Sequence, residues 1–234
     1  HLPALVSILL SVLICTILGV VIERLAYKPL RSASSLAVLI TAIGVSYFLQ
    51  NAAMLIYGSD TKIFPSVLRG SLKVGSLSIP YLTMITIAVC ILIIFSLQMF
   101  IKNTKTGRAM RACSEDRDAA ALMGINVNKI ISITFAIGSG LAGIAAFLLA
   151  ATYPSVYPTL GSMPGIKAFT AAVFGGIGSI SGAFLGGLLL GVIENLSKVY
   201  ISAQLSDAIV FGVLIIVLLI RPTGLLGKKS NEKV

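Results

Sequence analysis

The chain alternates long apolar runs with short polar links, and only one polar passage is long. Residues 3–22 are apolar apart from Ser7, Ser11 and Thr16, and runs at 36–57, 80–101, 130–152, 182–200 and 208–220 share that character. At ~1.5 Å rise per residue, ~20 such residues cross the hydrocarbon core of a bilayer as a helix. The run 166–178 is apolar but too short to cross alone. Glu23-Arg24 closes the first run and Pro29 stops it, Pro80 opens the third, and Arg221-Pro222 closes the last. Residues 153–165 carry three prolines and no charge, which predicts an external connection or an irregular mouth segment. In the link 58–79, Leu72, Val74, Leu77 and Ile79 nearly alternate with polar residues around Gly75-Ser76, which predicts a small hairpin. The fold class is therefore all-α: a polytopic transmembrane helical bundle of about six to seven membrane segments, forming a single domain over 1–234.

The long polar passage is 102–129. It holds Lys102, Lys105, Arg108, Arg111, Arg117 and Lys129 against Glu115, Asp116 and Asp118. Ser114-Glu115-Asp116 puts a capping hydroxyl and two carboxylates at a first turn, and Gly124 with Asn126 makes a stop. One exposed helix over 114–123 is predicted, with Asp118, Ala119, Ala120 and Gly124 on it or closing it. Small residues on one face of such a helix permit close approach to another protein, while charged flanks such as Glu115 fix its orientation.

Composition narrows the class. With 57% hydrophobic residues in 234 and a mean hydropathy of +1.01, a soluble globular domain is excluded. The net charge of +10 does not point to nucleic acid, because the basic residues sit in the polar links. All but Lys62, Arg69, Lys73, Lys167 and Lys198 fall in 24–31, in 102–129, or in the tail from Arg221 through Lys228, Lys229 and Lys233. The positive-inside rule assigns those three stretches to the cytoplasm. That orientation gives seven crossings when 178–181 is counted as an inner turn. The three cysteines, Cys15, Cys90 and Cys113, have no metal or disulfide spacing and read as packing residues.

Polar residues inside the apolar runs are the candidate path. Thr41, Ser46, Gln50 and Asn51 must find partners in protein or line a wet route; interhelical hydrogen bonding explains them equally well. Gly175, Gly176, Gly178 and Ser179 lie in a stretch, 175–182, that breaks a helix. It either frees backbone groups for a solute, as discontinuous membrane helices do, or makes a tight inner turn. Gly138-Ser139-Gly140-Leu141-Ala142-Gly143 matches a dinucleotide fingerprint literally, but no strand precedes it and no acid follows at the required distance. It reads as a close-packing helix face. Glu194 and Lys198 are spaced as a helical ion pair; a proton relay is the alternative.

Asp118-Ala119-Ala120 followed by Gly124 resembles the E-A-A-x-x-x-G coupling loop of ATP-binding cassette importer permeases, with Asp118 in place of glutamate. Three further stretches are similar to the Liv-type permease subunits of branched-chain amino-acid importers: Leu39 to Asn51, Gly107 to Gly143, and Ala168 to Ala183. The closing Arg221 to Gly227 also fits. The resemblance implies a permease that moves leucine, isoleucine or valine across the bacterial inner membrane by alternating access. It also implies partners: a second permease subunit, an external or periplasmic solute-binding protein, and cytoplasmic ATP-binding subunits that use the ATP, so that this chain binds no cofactor. Membrane lipids surround it. The resemblance further implies that the chain, which opens on His1, is without the family's first membrane segment or two.

Other classes remain to be weighed. Related permeases carry urea, short amides or sugars, and the same polar residues serve any of them. A secondary transporter or channel needs coupling carboxylates or a charged filter at mid-depth, and only Glu194 qualifies. An intramembrane enzyme fails on inventory: the sole histidine is His1, and no nucleophile has a base beside it.

Overall fold

The computed structural model describes residues 4–31, 33–65, 70–74 and 77–227. The tail lysines Lys228, Lys229 and Lys233, the hairpin tip Gly75-Ser76, Arg69 and His1 lie outside the described residues. The protein is a multi-pass helical membrane protein. Among the described residues, five helical stretches are long and apolar enough to cross a bilayer: Leu5–Leu30, Leu36–Tyr57, Tyr81–Asn103, Val127–Thr152 and Ile180–Tyr200.

The described chain forms two compact units. One runs through Leu160 except for Ile94–Gln98; the other holds Ile94–Gln98 and the residues from Gly161 on.

In the first unit, α1 (Ala4–Ile22) continues through a π-helical turn, Glu23–Tyr27, and a 3-10 turn, Lys28–Leu30. Helix α2 (Ser35–Tyr57) begins at Ser34, whose hydroxyl accepts from the Ala37 amide, and stops at Gly58. Strands β2 (Ser71–Val74) and β3 (Leu77–Pro80) pair antiparallel, with Leu72 opposite Ile79. Pro80 then caps α3 (Tyr81–Asn103). The link after α2 is tied to the one after α6 (Val127–Thr152): β1 (Lys62–Ile63) pairs with β4 (Ser155–Val156), and Phe64 stacks edge-on against Phe147.

The main contact of this unit is α1 against α6. Ser11 Oγ donates to the Gly143 carbonyl at 3.2 Å. A Cβ at Gly143 would lie 3.0 Å from the Ser11 carbonyl, and one at Gly140 would lie 3.0 Å from Thr16 Oγ1. The Gly-Ser-Gly-Leu-Ala-Gly stretch is thus the face on which α1 lies, since small residues let two backbones approach. One charge is sealed in here. Glu23, 0% exposed, accepts from Ser132 Oγ at 2.7 Å and from the Arg31 guanidinium, which also bonds Asn128.

In the second unit, α7 (Ser162–Gly175) and α8 (Ile180–Tyr200) form a close hairpin, and α9 (Ser206–Ile220) packs on both. Ala171, Phe174, Leu190 and Val210 make its core. Helix α7 starts at Ser162, earlier than the proline count suggests. Pro164 sits in the first helical turn, where a missing amide hydrogen costs nothing. At ~1.5 Å per residue α7 and α9 span only ~21–23 Å, less than the ~30 Å hydrocarbon thickness.

Candidate functional site

The polar passage folds as two helices rather than one. Helix α4 (Lys105–Glu115) is capped by Thr104 and α5 (Arg117–Leu122) by Asp116. The predicted start at Ser114 is displaced because Ser114 Oγ turns back to the Arg111 carbonyl at 2.7 Å. Asp116 instead adopts the extended cap conformation, and its Oδ1 accepts from the amides of Asp118 and Ala119 at 2.9 and 3.0 Å. Glu115 therefore ends α4, while Asp118 and Ala119 form the first turn of α5.

The stop at Gly124 is well defined. With φ +81°, Gly124 donates to the Ala121 carbonyl at 3.0 Å while Ile125 donates to Ala120 at 3.1 Å. These are the paired bonds of a left-handed helix terminus, which glycine adopts without steric cost. Ala120 faces inward against Cys113 and Ile130, so α5 is fastened to α4 and to the start of α6. Its outer side is open: Asp118 and Ala119 are exposed, and Leu122 and Met123 are 89% and 83% exposed. Two large apolar side chains thus stand exposed side by side in the most polar part of the chain. Composition alone hid them.

On α2 the candidate residues bond within their own helix. Thr41 Oγ1 donates to the Ala37 carbonyl at 2.8 Å, Gln50 Nε2 to Ser46 Oγ at 3.1 Å, and Asn51 Nδ2 to the Tyr47 carbonyl at 2.8 Å. The helix thus brings Ser46 and Gln50 together. Ser46 and Asn51 are exposed; Thr41 and Gln50 are half-buried.

The glycine break is a turn, 176–179, sealed by residues 224–226. The Leu225 and Leu226 amides donate to the Phe174 and Gly175 carbonyls, both at 2.9 Å, so the carbonyls at the C-terminus of α7 are taken within the protein. Gly176 and Gly224 meet face to face, since a Cβ on Gly224 would lie 2.6 Å from the Gly176 nitrogen. Gly175 and Gly176 are buried and Gly178 is exposed. Ser179 Oγ caps α8 by accepting from the Gly182 amide at 3.0 Å.

The Glu194–Lys198 pair that the spacing predicts forms, and the sequence reading missed the lysine and the aspartate that join it. Lys167 on α7 reaches Glu194 on α8 at 2.8 Å and Asp207 on α9 at 2.7 Å, and Lys198 reaches the same Glu194 oxygen at 2.5 Å. The signal was present in that Lys167 is the only charged residue between Lys129 and Glu194, and an isolated charge in an apolar run requires a partner. Beside it lies a cavity of about 230 Å³.

Comparison with known proteins agrees in direction. The family described as branched-chain amino acid transport system permease component matches residues 2–218. The chain is 48% identical over 229 residues to the high-affinity branched-chain amino acid transport system permease protein BraD of Pseudomonas aeruginosa, covering 96% of this chain and 75% of the relative. It is 45% identical to the corresponding LivH of Escherichia coli, covering 96% and 74%. It is 27% identical over 183 residues to the fructose import permease protein FrcC of Rhizobium meliloti, covering 74% of this chain and 49% of that protein. No solved structure matches.

Proposed function

Because this chain belongs to the branched-chain amino acid transport permease family, we propose that it is a membrane subunit of an ATP-binding cassette importer that moves leucine, isoleucine and valine across the bacterial inner membrane. The chain acts as a conduit and catalyses no reaction. ATP is used by cytoplasmic partner subunits, a second permease subunit completes the path, and an external solute-binding protein delivers the substrate.

The observation that carries the docking part of this reading is α5. It is capped at both ends by its own residues and pinned through Ala120, and it presents Asp118, Ala119, Leu122 and Met123 outward. A short rigid helix with an apolar tip and a charged flank fits a groove on a partner. Displacement of α5 by the ATPases passes directly into α6, whose cap Asn126 follows Gly124 by two residues. The Glu23, Ser132, Arg31 and Asn128 clasp then links that end of α6 to α1. Alternating access in this reading is a rocking of helix pairs driven from α5.

The test is reconstitution. Proteoliposomes holding the permease pair and the ATPases, with loaded binding protein outside, take up labelled leucine only when ATP is inside. Uptake without ATP overturns the coupling, and fructose uptake in place of leucine overturns the substrate. Leu122→Asp removes an exposed anchor, so the fold is retained while ATPase co-purification falls about tenfold or more. Gly124→Leu forces a β-carbon into the left-handed region, costing roughly 1–2 kcal/mol locally, and lowers ATPase association as well. Full co-purification by both variants removes α5 from the interface.

A further inference from the structure

The charged group on α7, α8 and α9 adjoins a cavity whose chemistry is divided. At one end stand Lys167 and Glu194; the rest of the wall is Ala168, Ala171, Gly187, Leu190, Gly191 and Val210, with the Thr170 hydroxyl turned back to the Lys167 carbonyl at 2.8 Å. Val210 is 1% exposed and Leu190 is nearly as buried, so the apolar end is a firm wall of the unit's own core. At about 230 Å³ the space falls below the ~300–1,000 Å³ of drug-sized sites, which is the size class of a single amino acid.

Two features separate this space from a packing fault closed by an ion pair. The first is the pair of glycines that line it. Along α8, Gly182 and Gly186 are required by the α7 backbone: a Cβ at Gly186 would lie 2.9 Å from the Gly175 nitrogen. Gly191 has nothing within 4 Å of its Cβ position, and Gly187 has only the Ala171 Cβ at 3.7 Å. Helix packing does not demand glycine at these two positions, and glycine in a helix interior costs ~1 kcal/mol against alanine. Gly187 is exposed and Gly191 half-buried, so the missing side chains leave the cavity open on this side of α8.

The second feature is the charge inventory. Lys167 and Lys198 balance Glu194 and Asp207, and one ammonium, that of Lys167, is shared between two carboxylates from two helices. The side chains of this group are 17–42% exposed, so a ligand can reach them, and pairs this open add only ~0–1 kcal/mol each to the fold. A neutral group with both signs at the mouth of an apolar pocket complements a ligand that carries both signs on an aliphatic stem. An incoming carboxylate takes a carboxylate's place on Lys167, and the Glu194 oxygens so released accept from the ligand's ammonium group.

We propose that the cavity between α7, α8 and α9 is a binding site for an aliphatic amino-acid zwitterion, with Lys167 and Glu194 taking the two charges and the Gly187, Gly191, Leu190 and Val210 end taking the side chain. This rests on the transport reading above and names where the substrate pauses within this subunit. Binding also exchanges helix-to-helix ion pairs for ligand pairs, so occupancy loosens the ties among the three helices that must move for release.

The experiment uses the reconstituted complex with its binding protein loaded with one solute at a time, which removes the selectivity of delivery. Gly191→Val fills the apolar end without meeting backbone, and lowers leucine uptake at least fivefold more than valine uptake, within the range a methylene group commands in a fitted pocket. Lys167→Met and Glu194→Gln each lower leucine uptake tenfold or more, while the complex still assembles, as read by co-purification of all subunits. An unchanged leucine-to-valine ratio in Gly191→Val, or loss of assembly in step with loss of uptake in both charge variants, overturns the site. If the unaltered complex moves none of the three amino acids, it is the transport reading that fails.

Discussion

Helix α2 and the unit built from α7, α8 and α9 both carry polar side chains through an apolar background, and they satisfy them in opposite ways. On α2, Thr41 and Asn51 bond the preceding turn, and Gln50 meets Ser46 on its own helix. No second helix is needed, so these bonds leave open what α2 faces. In α7–α9 each ion pair but one crosses from helix to helix, and the same principle joins α1 to α6 through buried Glu23. Polar residues answered within a helix cost the fold little to keep or lose. Those answered across helices tie the fold to one arrangement, and where they border a cavity they also define a chemistry.

The contrast breaks first at Glu23. Glu23→Ala leaves the Arg31 guanidinium largely buried with only Asn128 as partner and strands the Ser132 hydroxyl. Removing one member of a buried pair costs ~3–5 kcal/mol, so the purified protein should show the largest fall in unfolding midpoint of any single change considered, and an unchanged midpoint would refute the clasp. Asp207→Asn should do far less. Asp207 is well exposed, and Lys167 keeps Glu194, so the change belongs with exposed pairs worth ~0–1 kcal/mol. A loss as large as that of Glu23→Ala would mean that the two carboxylates on Lys167 are not interchangeable.

Membrane spans were legible in the sequence because the excess of apolar residues leaves no other fold, and hairpin β2–β3 was legible from near-alternation around a glycine turn. The boundary of α5 was not. Ser114 and Asp116 are both competent caps, and the choice depends on burying Cys113 and Ala120 against Ile130, a contact the local sequence does not contain. The partners of Glu23 lie 8 and 109 residues away, so a carboxylate that reads as the end of a helix is in fact its anchor. Lys167 stands outside the three basic links, and its partners arrive on two later helices. Leu122 and Met123 carry no periodic signal in a six-residue helix, and only their exposure marks them. Local rules found the elements, and the cross-element charges required the fold.

The smallest structural effect is expected where α2's polar groups close on themselves. Gln50→Leu removes one exposed side-chain bond to Ser46, a loss of at most about 0.5 kcal/mol for a helical pair of this kind. It places a larger apolar surface where a membrane helix is already apolar. Stability and assembly should therefore stay within error, which makes uptake the informative measurement. If Gln50 and Ser46 line the path, leucine uptake by Gln50→Leu falls severalfold with the complex intact, because a desolvating solute loses a donor and an acceptor at that depth. Unchanged uptake kinetics would remove Gln50 from the route and reduce α2's polar stripe to bonds a helix makes with itself. Among the described residues, the cross-helix charges of α7–α9 would then be the stronger candidate for the proposed zwitterion site.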